Sequence, residues 1–187
     1  MKKLLLLTFV LIGMVLLLRE EYKIKHYSDL YDNQVLRVEK KDPVIYISGL
    51  GKYTPGSLEM VSNAITEYYG VKCEIIGSMD TYPLLYNSKG KLDVTSCSRY
   101  LSHTNKTIYV TDEYMVSDVI VAGAADESGT FIILSNNFND LKNTARHEMA
   151  HTLGLDHCEN ECVMGKYELS PNFVDFCNNC KLKLNLK

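Results

Sequence analysis

Three of the five histidines of the chain lie in one stretch, which reads His147-Glu148-Met149-Ala150-His151-Thr152-Leu153-Gly154-Leu155-Asp156-His157. His147 and His151 are four residues apart, so on an α-helix their side chains project from the same face, one turn apart. Their imidazoles can then bind one zinc ion at the usual distance of about 2.0–2.1 Å. Gly154 has no Cβ atom and can turn the chain sharply after the helix, which returns His157 to the same ion. The pattern therefore predicts a helix over about 140–153 that carries two of three zinc ligands.

Three neutral histidines leave the fourth position of a tetrahedral zinc ion for water, which is how a catalytic zinc site differs from a closed structural one. Zinc lowers the pKa of such a water toward about 7. Glu148 follows the first ligand and can act as the general base that completes the nucleophile. The residues therefore predict a catalytic zinc site with Glu148 as the catalytic residue.

The segments before this helix alternate between strand and helix patterns. Apolar residues recur at helical spacing from Pro55 until Gly70, and a weaker helical pattern covers 92–101. Runs of β-forming residues occupy 44–47, 71–76, 107–111, 119–122 and 131–134. This order predicts an α/β (α+β) fold with a mixed, twisted sheet and an active-site helix.

The N-terminus has the pattern of an export segment. Lys2 and Lys3 precede a mostly apolar run at 4–18, which ends at Arg19. The run is shorter than the ~20 residues that cross a bilayer comfortably, and no small-x-small cleavage site follows it. We therefore expect a signal peptide or a signal anchor at 1–19, a charged linker at 20–42 and the catalytic domain at 43–187. The domain is expected outside the cytoplasm, either secreted or anchored to the membrane by its N-terminus.

The charge balance argues against a nucleic-acid partner. The chain has 20 Lys and Arg against 23 Asp and Glu, with a formal net charge of -3. Nucleic-acid binding proteins usually carry a basic patch, and this balance provides none. The expected partner is a peptide or protein substrate, and no pattern in the sequence sets an oligomeric state.

A group of cysteines follows the third histidine. Its members are Cys158, Cys162, Cys177 and Cys180. Two close pairs separated by a short span are typical of a second, structural zinc site. Outside the cytosol the same residues can form disulfides instead, by pairing across the two pairs. Both alternatives stay open from the residues alone, and the remaining Cys73 and Cys97 are expected as buried free thiols.

The order of these features resembles the archaemetzincin family of zinc metallopeptidases. The histidine motif is followed at once by a cysteine, then by Cys162-Val163-Met164, then by Cys177-Asn178-Asn179-Cys180. The resemblance is close over 131–180 and looser back to about residue 43. The spacings inside the cysteine group are shorter than the family pattern, and an export segment is unusual in a family that is generally cytosolic.

This resemblance implies a metzincin-like zincin domain with two zinc ions. The catalytic ion would be held by His147, His151 and His157. The structural ion would be held by Cys158, Cys162, Cys177 and Cys180. Met164 would form the turn beneath the catalytic site, and 131–135 would be the edge strand with which an extended peptide pairs.

Two functions from different classes fit these observations. The first is a zinc metallopeptidase that hydrolyses peptide bonds with Glu148 as the base. The second is a zinc-stabilised binding module, in which the metal is structural and no substrate is cut. The two differ in whether cleavage of a peptide depends on Glu148.

Overall fold

The computed structural model of the protein describes residues 44–101, 105–126, 128–138, 140–165 and 175–185. The expected export segment at 1–19 and the linker at 20–42 lie outside these ranges and stay predictions. Within the described ranges, no helix combines the length and the apolar character needed to cross a membrane.

The strands are short, and most belong to one sheet. They are β1 Val44–Leu50, β2 Lys72–Met79, β3 Leu92–Asp93, β4 Thr107–Thr111, β5 Met115–Val116, β6 Ile120–Val121, β7 Gly123–Ala125 and β8 Phe131–Ser135. The order across the main sheet is β2-β1-β4-β8-β7, and a small second sheet has the order β3-β5-β6. In the main sheet β7 runs antiparallel to β8, whereas the other neighbours are parallel. The predicted mixed sheet is therefore confirmed.

Four α-helices connect the described strands or follow them. They are α1 Pro55–Tyr69, α2 Val94–Leu101, α3 Leu141–Thr152 and α4 Asn178–Lys183, and a short 3-10 helix covers Pro83–Leu85. Helix α1 begins with Pro55 and ends at Gly70, whose φ of 65° is left-handed. Both residues act as the sequence predicts, because proline fits the first helical turn and glycine takes a positive φ without strain.

Helices cover both faces of the main sheet. Buried residues of α1 and α3, such as Val61 and Ala145, pack with Ile108 and Val110 of β4. On the opposite face, α2 packs with Tyr109, which alternates with these two residues along the same strand. The main sheet is therefore the middle layer of the domain, and its α3 side positions the histidine motif.

The prediction, based on the resemblance, that 131–135 forms an edge strand is wrong. Strand β8 lies inside the sheet between β4 and β7, and all five of its residues are buried. An apolar run that is buried on both faces is typical of an internal strand. The edge is formed instead by β7, Gly123–Ala125, whose small residues have weak strand propensity and therefore leave no strand pattern in the sequence.

Candidate metal centre

Helix α3 has a capping residue at its start and a glycine turn after its end. The Asp140 carboxylate accepts the backbone N–H of Asn143 at 3.0 Å, which satisfies a free donor of the first turn. After the helix, Gly154 takes a φ of 83°, a conformation that L side chains rarely adopt. The turn at Gly154 brings His157 back beside the helix, as the sequence predicts. The observed helix is one residue shorter at each end than the predicted 140–153.

The three imidazoles of the motif converge through their Nε2 atoms. The Nε2 atom of His147 lies 3.0 Å from that of His151 and 3.2 Å from that of His157. The three ligand atoms all lie within 4.8 Å of one another. A tetrahedral zinc ion with bonds of 2.0–2.1 Å would hold two nitrogens about 3.3 Å apart. The spacing therefore fits one zinc ion.

Two backbone carbonyls set the orientation of the first two rings. The Nδ1–H of His147 donates to the carbonyl of Val163 at 2.6 Å, and the Nδ1–H of His151 donates to the carbonyl of Leu155 at 2.7 Å. In a neutral imidazole with the proton on Nδ1, Nε2 carries only a lone pair. Two lone pairs that face each other at 3.0 Å repel unless a cation lies between them, so this arrangement also fits a metal ion.

Burial keeps the first two histidines neutral. It lowers the pKa of His147 to about 4, because the charged imidazolium would lose its hydration. Burial also lowers the pKa of His151, whereas His157 is exposed at the mouth of the site. A neutral imidazole is the form that binds metal, so His147 and His151 are ready to act as ligands at neutral pH.

Glu148 directly follows the ligand His147 on α3 and is buried. The residue is only 7% exposed, and burial raises its pKa to about 8. Gly123 of β7 passes directly against it: a Cβ atom there would lie 2.7 Å from Glu148 Cγ and 2.9 Å from Oε1. Sequence reasoning missed Gly123, although a glycine next to a strand pattern can mark such a close approach.

Strand β7 presents an open edge beside Glu148. The backbone N–H of Ser135 donates to Ala122 at 2.8 Å, and that of Asp126 donates to Phe131 at 3.0 Å. Because antiparallel pairing alternates along a strand, the N–H and C=O groups of Gly123 and Ala125 point away from β8. In the part of the chain that the structure describes, β7 is the last strand of the sheet. These outward groups can therefore pair with an added strand.

The second cluster consists of the four cysteines that follow the motif. Cys158 Sγ and Cys162 Sγ are 3.3 Å apart, and Cys177 Sγ and Cys180 Sγ are 3.5 Å apart. All four sulfur atoms lie within 4.8 Å of one another, and all six cysteines of the chain are free thiols. A tetrahedral zinc ion with Zn–S bonds of about 2.3 Å would separate two sulfurs by about 3.8 Å. The thiols therefore come together in a way that fits a metal, despite their short spacings in the sequence.

The pKa values of Cys162, Cys177 and Cys180 shift in different directions. Burial opposes ionisation of Cys177, but hydrogen bonds from the Cys180 backbone N–H and the Asn160 amide lower its pKa. For Cys162 and Cys180, burial raises the pKa. A bound dication favours the thiolate form of every cysteine ligand, and this offsets the effect of burial, which opposes ionisation.

Met164 lies beneath the end of α3. It is fully buried in an apolar cluster with Ala150, Leu155, Val163 and Phe176. Its backbone carbonyl accepts the N–H of Cys158 at 2.8 Å, so the segment that contains it closes onto the residue after His157. Sequence reasoning missed that the neighbouring Val163 carbonyl orients His147, because a backbone group leaves no residue-type signal.

Comparison with known proteins shows what this chain is similar to. The family description Peptidase family M54 matches residues 139–186. The archaemetzincin of Archaeoglobus fulgidus is 28% identical over 158 residues, which cover 75% of this chain and 98% of that protein. The archaemetzincin of Aeropyrum pernix is 53% identical over 47 residues, which cover 22% of this chain and 25% of that protein.

Solved structures agree with these matches. The crystal structure of the Archaeoglobus fulgidus archaemetzincin in complex with malonate has a TM-score of 0.64 and 26% identity, covering 75% of this chain and 99% of that one. A zinc-dependent peptidase from Methanocorpusculum labreanum shares the fold, with a TM-score of 0.58 and 17% identity over 75% of this chain and 100% of that one. The chain is thus similar to archaemetzincins in sequence and fold over most of its length, and its residues 139–186 match Peptidase family M54.

Proposed function

We propose that the protein hydrolyses peptide bonds with a catalytic zinc ion on His147, His151 and His157 and with Glu148 as the general base. One observation carries this proposal: three imidazole nitrogens converge, and the residue after the first of them is a buried glutamate that touches the outer strand of the sheet. A closed structural zinc site would need a fourth protein ligand, and among the residues that the structure describes the histidine cluster contributes three.

In this proposal Glu148 moves the protons of the reaction. Bound zinc would polarise the scissile carbonyl and lower the pKa of a neighbouring water. Glu148 takes a proton from the water as the water oxygen bonds to the carbonyl carbon. When the C–N bond breaks, Glu148 delivers that proton to the leaving amine, so the products are a carboxylic acid and an amine. The pKa of about 8 belongs to the metal-free protein, and a nearby zinc ion would lower it and so favour the carboxylate form that accepts a proton.

We further propose that the substrate binds as an extended strand along β7. The outward N–H and C=O groups of Gly123 and Ala125 supply main-chain hydrogen bonds to any peptide sequence. The contact between Gly123 and Glu148 supports this position, because a peptide on that edge lies beside the proposed base. Recognition of this kind favours unfolded or flexible segments over compact domains.

The cysteine cluster is proposed to hold a second, structural zinc ion. Four sulfur ligands leave no open position, so this ion would stabilise the C-terminal part without taking part in hydrolysis. Elemental analysis of the purified domain should give about two zinc equivalents by ligand count. A value near one would contradict the second ion.

A peptide-library screen of the zinc-loaded protein tests the proposed function. We expect defined cleavage sites that disappear after treatment with a chelator and return when zinc is restored. The alternative, a zinc-stabilised binding module, predicts that peptides are bound and recovered intact. Replacement of His147 by alanine should abolish cleavage, and cleavage that survives this change would contradict the proposed site.

A further inference from the structure

The histidine cluster and the cysteine cluster are connected through one backbone carbonyl. The Val163 carbonyl accepts the Nδ1–H of His147 at 2.6 Å, and Val163 is fully buried. On its other side, the N–H of Val163 donates to the carbonyl of Asp175 at 3.1 Å. The N–H and the C=O group of Val163 are therefore both held by hydrogen bonds. The His147 ring takes its orientation from this fixed carbonyl.

The cysteines hold the segment that carries this carbonyl. The backbone N–H of Met164 donates to Cys162 Sγ at 3.4 Å, and the N–H of Cys158 donates to the Met164 carbonyl at 2.8 Å. Asp175, the partner of Val163, lies two residues before Cys177, whose backbone N–H donates a hydrogen bond to the Cys162 sulfur. Both cysteine pairs therefore contribute to the position of the Val163 carbonyl.

The three histidines depend on the cysteines to different extents. His147 is oriented by Val163, and His157 directly precedes Cys158. His151 differs, because its Nδ1–H donates to Leu155 in the turn that ends α3. The Leu155 N–H in turn donates to Ala150 of the same helix at 3.1 Å. His151 is thus positioned by the helix and its own turn.

We propose that Val163 is a positioning residue through which the cysteine cluster sets the zinc affinity of the histidine cluster. The proposal rests on the two proposed metal sites. With its metal bound, the cysteine cluster keeps the Val163 carbonyl in place, so His147 needs no ordering when zinc binds. Without that metal, ordering opposes zinc binding. Loss of such an outer partner typically lowers metal affinity 10–100-fold.

The coupling is reciprocal by thermodynamic necessity: a metal on either site strengthens binding at the other by the same factor. A chain that has lost the metal of its cysteine cluster should therefore also lose its catalytic zinc at free-zinc levels that the intact protein tolerates.

The test measures the zinc affinity of the histidine site in full-chain Cys177→Ser by competition with a zinc chelator. Cys177 is chosen because the hydrogen bonds to the backbone of Met164 come from the other pair, Cys158 and Cys162. We expect the affinity to fall 10–100-fold. Cys177→His, which keeps four metal ligands of a known structural type, should restore it. An unchanged histidine-site affinity in Cys177→Ser with an emptied cysteine site would overturn the proposal.

A second measurement separates this route from general unfolding. In the NMR spectrum of the zinc-loaded protein, the Nδ1–H protons of His147 and His151 should both be protected from exchange by their carbonyl partners. In Cys177→Ser we expect protection to fall for His147 and to persist for His151. Equal loss of both protections would show that Val163 is not the route, and would overturn the proposal.

If Cys177→Ser does not fold, the same question is tested by adding zinc stepwise to the metal-free wild-type chain and following the protection of the histidine Nδ1–H protons. The protection of the His147 Nδ1–H should rise as the cysteines fill, before the histidine site binds zinc. Protection that appears only when zinc reaches the histidine site would overturn the proposal.

Discussion

The backbone of Gly123 lies against the side chain of Glu148, so closely that a Cβ atom at this glycine would stand 2.7 Å from Glu148 Cγ and 2.9 Å from Oε1. Gly123 is not among the glycines with a positive φ, so the requirement for glycine here is one of space. The strand that is proposed to bind substrate, β7, is therefore in direct contact with the proposed general base, Glu148.

This contact predicts the effect of Gly123→Ala. The added methyl group should displace the Glu148 carboxylate while the zinc ligands stay in place. Because a shift of about 1 Å in a catalytic group can reduce turnover about 100-fold, we expect a loss of kcat of that order with unchanged zinc content. The matched control is Gly56→Ala, where a Cβ atom would meet nothing within 4 Å. Turnover of Gly123→Ala equal to that of the control would contradict the prediction.

The open edge of β7 predicts opposite results for two prolines on adjacent residues. Ala125→Pro removes an N–H that points away from β8, so it should raise KM for peptides and leave thermal stability nearly unchanged. Ala124→Pro removes an N–H from the ladder with Ile133 and should lower the melting temperature. Peptide kinetics and thermal unfolding of both variants check this, and a normal KM in Ala125→Pro would argue against strand addition.

Thiol labelling distinguishes a metal from disulfides in the cysteine cluster. In the metal-loaded protein, the four clustered cysteines should resist alkylation, and a chelator should make them reactive. Cys97 should stay unreactive in both states, because it is fully buried and burial raises the pKa of its thiol to about 12. Mass spectrometry of the unreduced protein provides the count. Two disulfides in the native protein would contradict a four-cysteine zinc site.

The burial of Glu148 predicts how the stability of the metal-free protein depends on pH. Its pKa is raised from 4.5 to about 8, so between these values the folded state binds more protons than the unfolded state. Stability from this group is therefore present at pH 4.5 and is lost as pH rises toward 8. Relative to the wild type, metal-free Glu148→Gln should gain stability over this range, by an amount on the order of a few kcal/mol.

Urea unfolding at pH 5 and pH 8, with chelator present, checks this difference. Glu59→Gln, a change at an exposed glutamate of α1, is the control and should show no such trend. A stability difference between Glu148→Gln and the wild type that is the same at both pH values would contradict the assigned burial.

Side-chain patterns predict much of this fold. The features that they do not predict depend on backbone groups and on tertiary contacts. The spacing of His147 and His151 and the turn at Gly154 act locally, so the sequence alone indicates both the helix and the converging ligands. The edge strand was misassigned because Gly123 and its alanine neighbours have little strand propensity. Their pairing with β8 depends instead on the tertiary structure.

The environment of the site was also hidden from sequence reasoning. The orienting partners of His147 and His151 are backbone carbonyls, which every residue possesses, so no residue type marks them. The burial of Glu148 likewise depends on β7 lying against α3, a contact between segments about 25 residues apart in the sequence.

The most direct test of the proposed function measures zinc content and peptide cleavage in the same preparations of wild type, Glu148→Gln and Glu59→Gln. General-base catalysis typically contributes 10²–10⁴-fold, so Glu148→Gln should lose at least about 100-fold in kcat and keep its catalytic zinc. Glu59→Gln should match the wild type in both measurements. Glu148→Gln that keeps its zinc and cleaves peptides at the wild-type rate would contradict the role of Glu148 as the base.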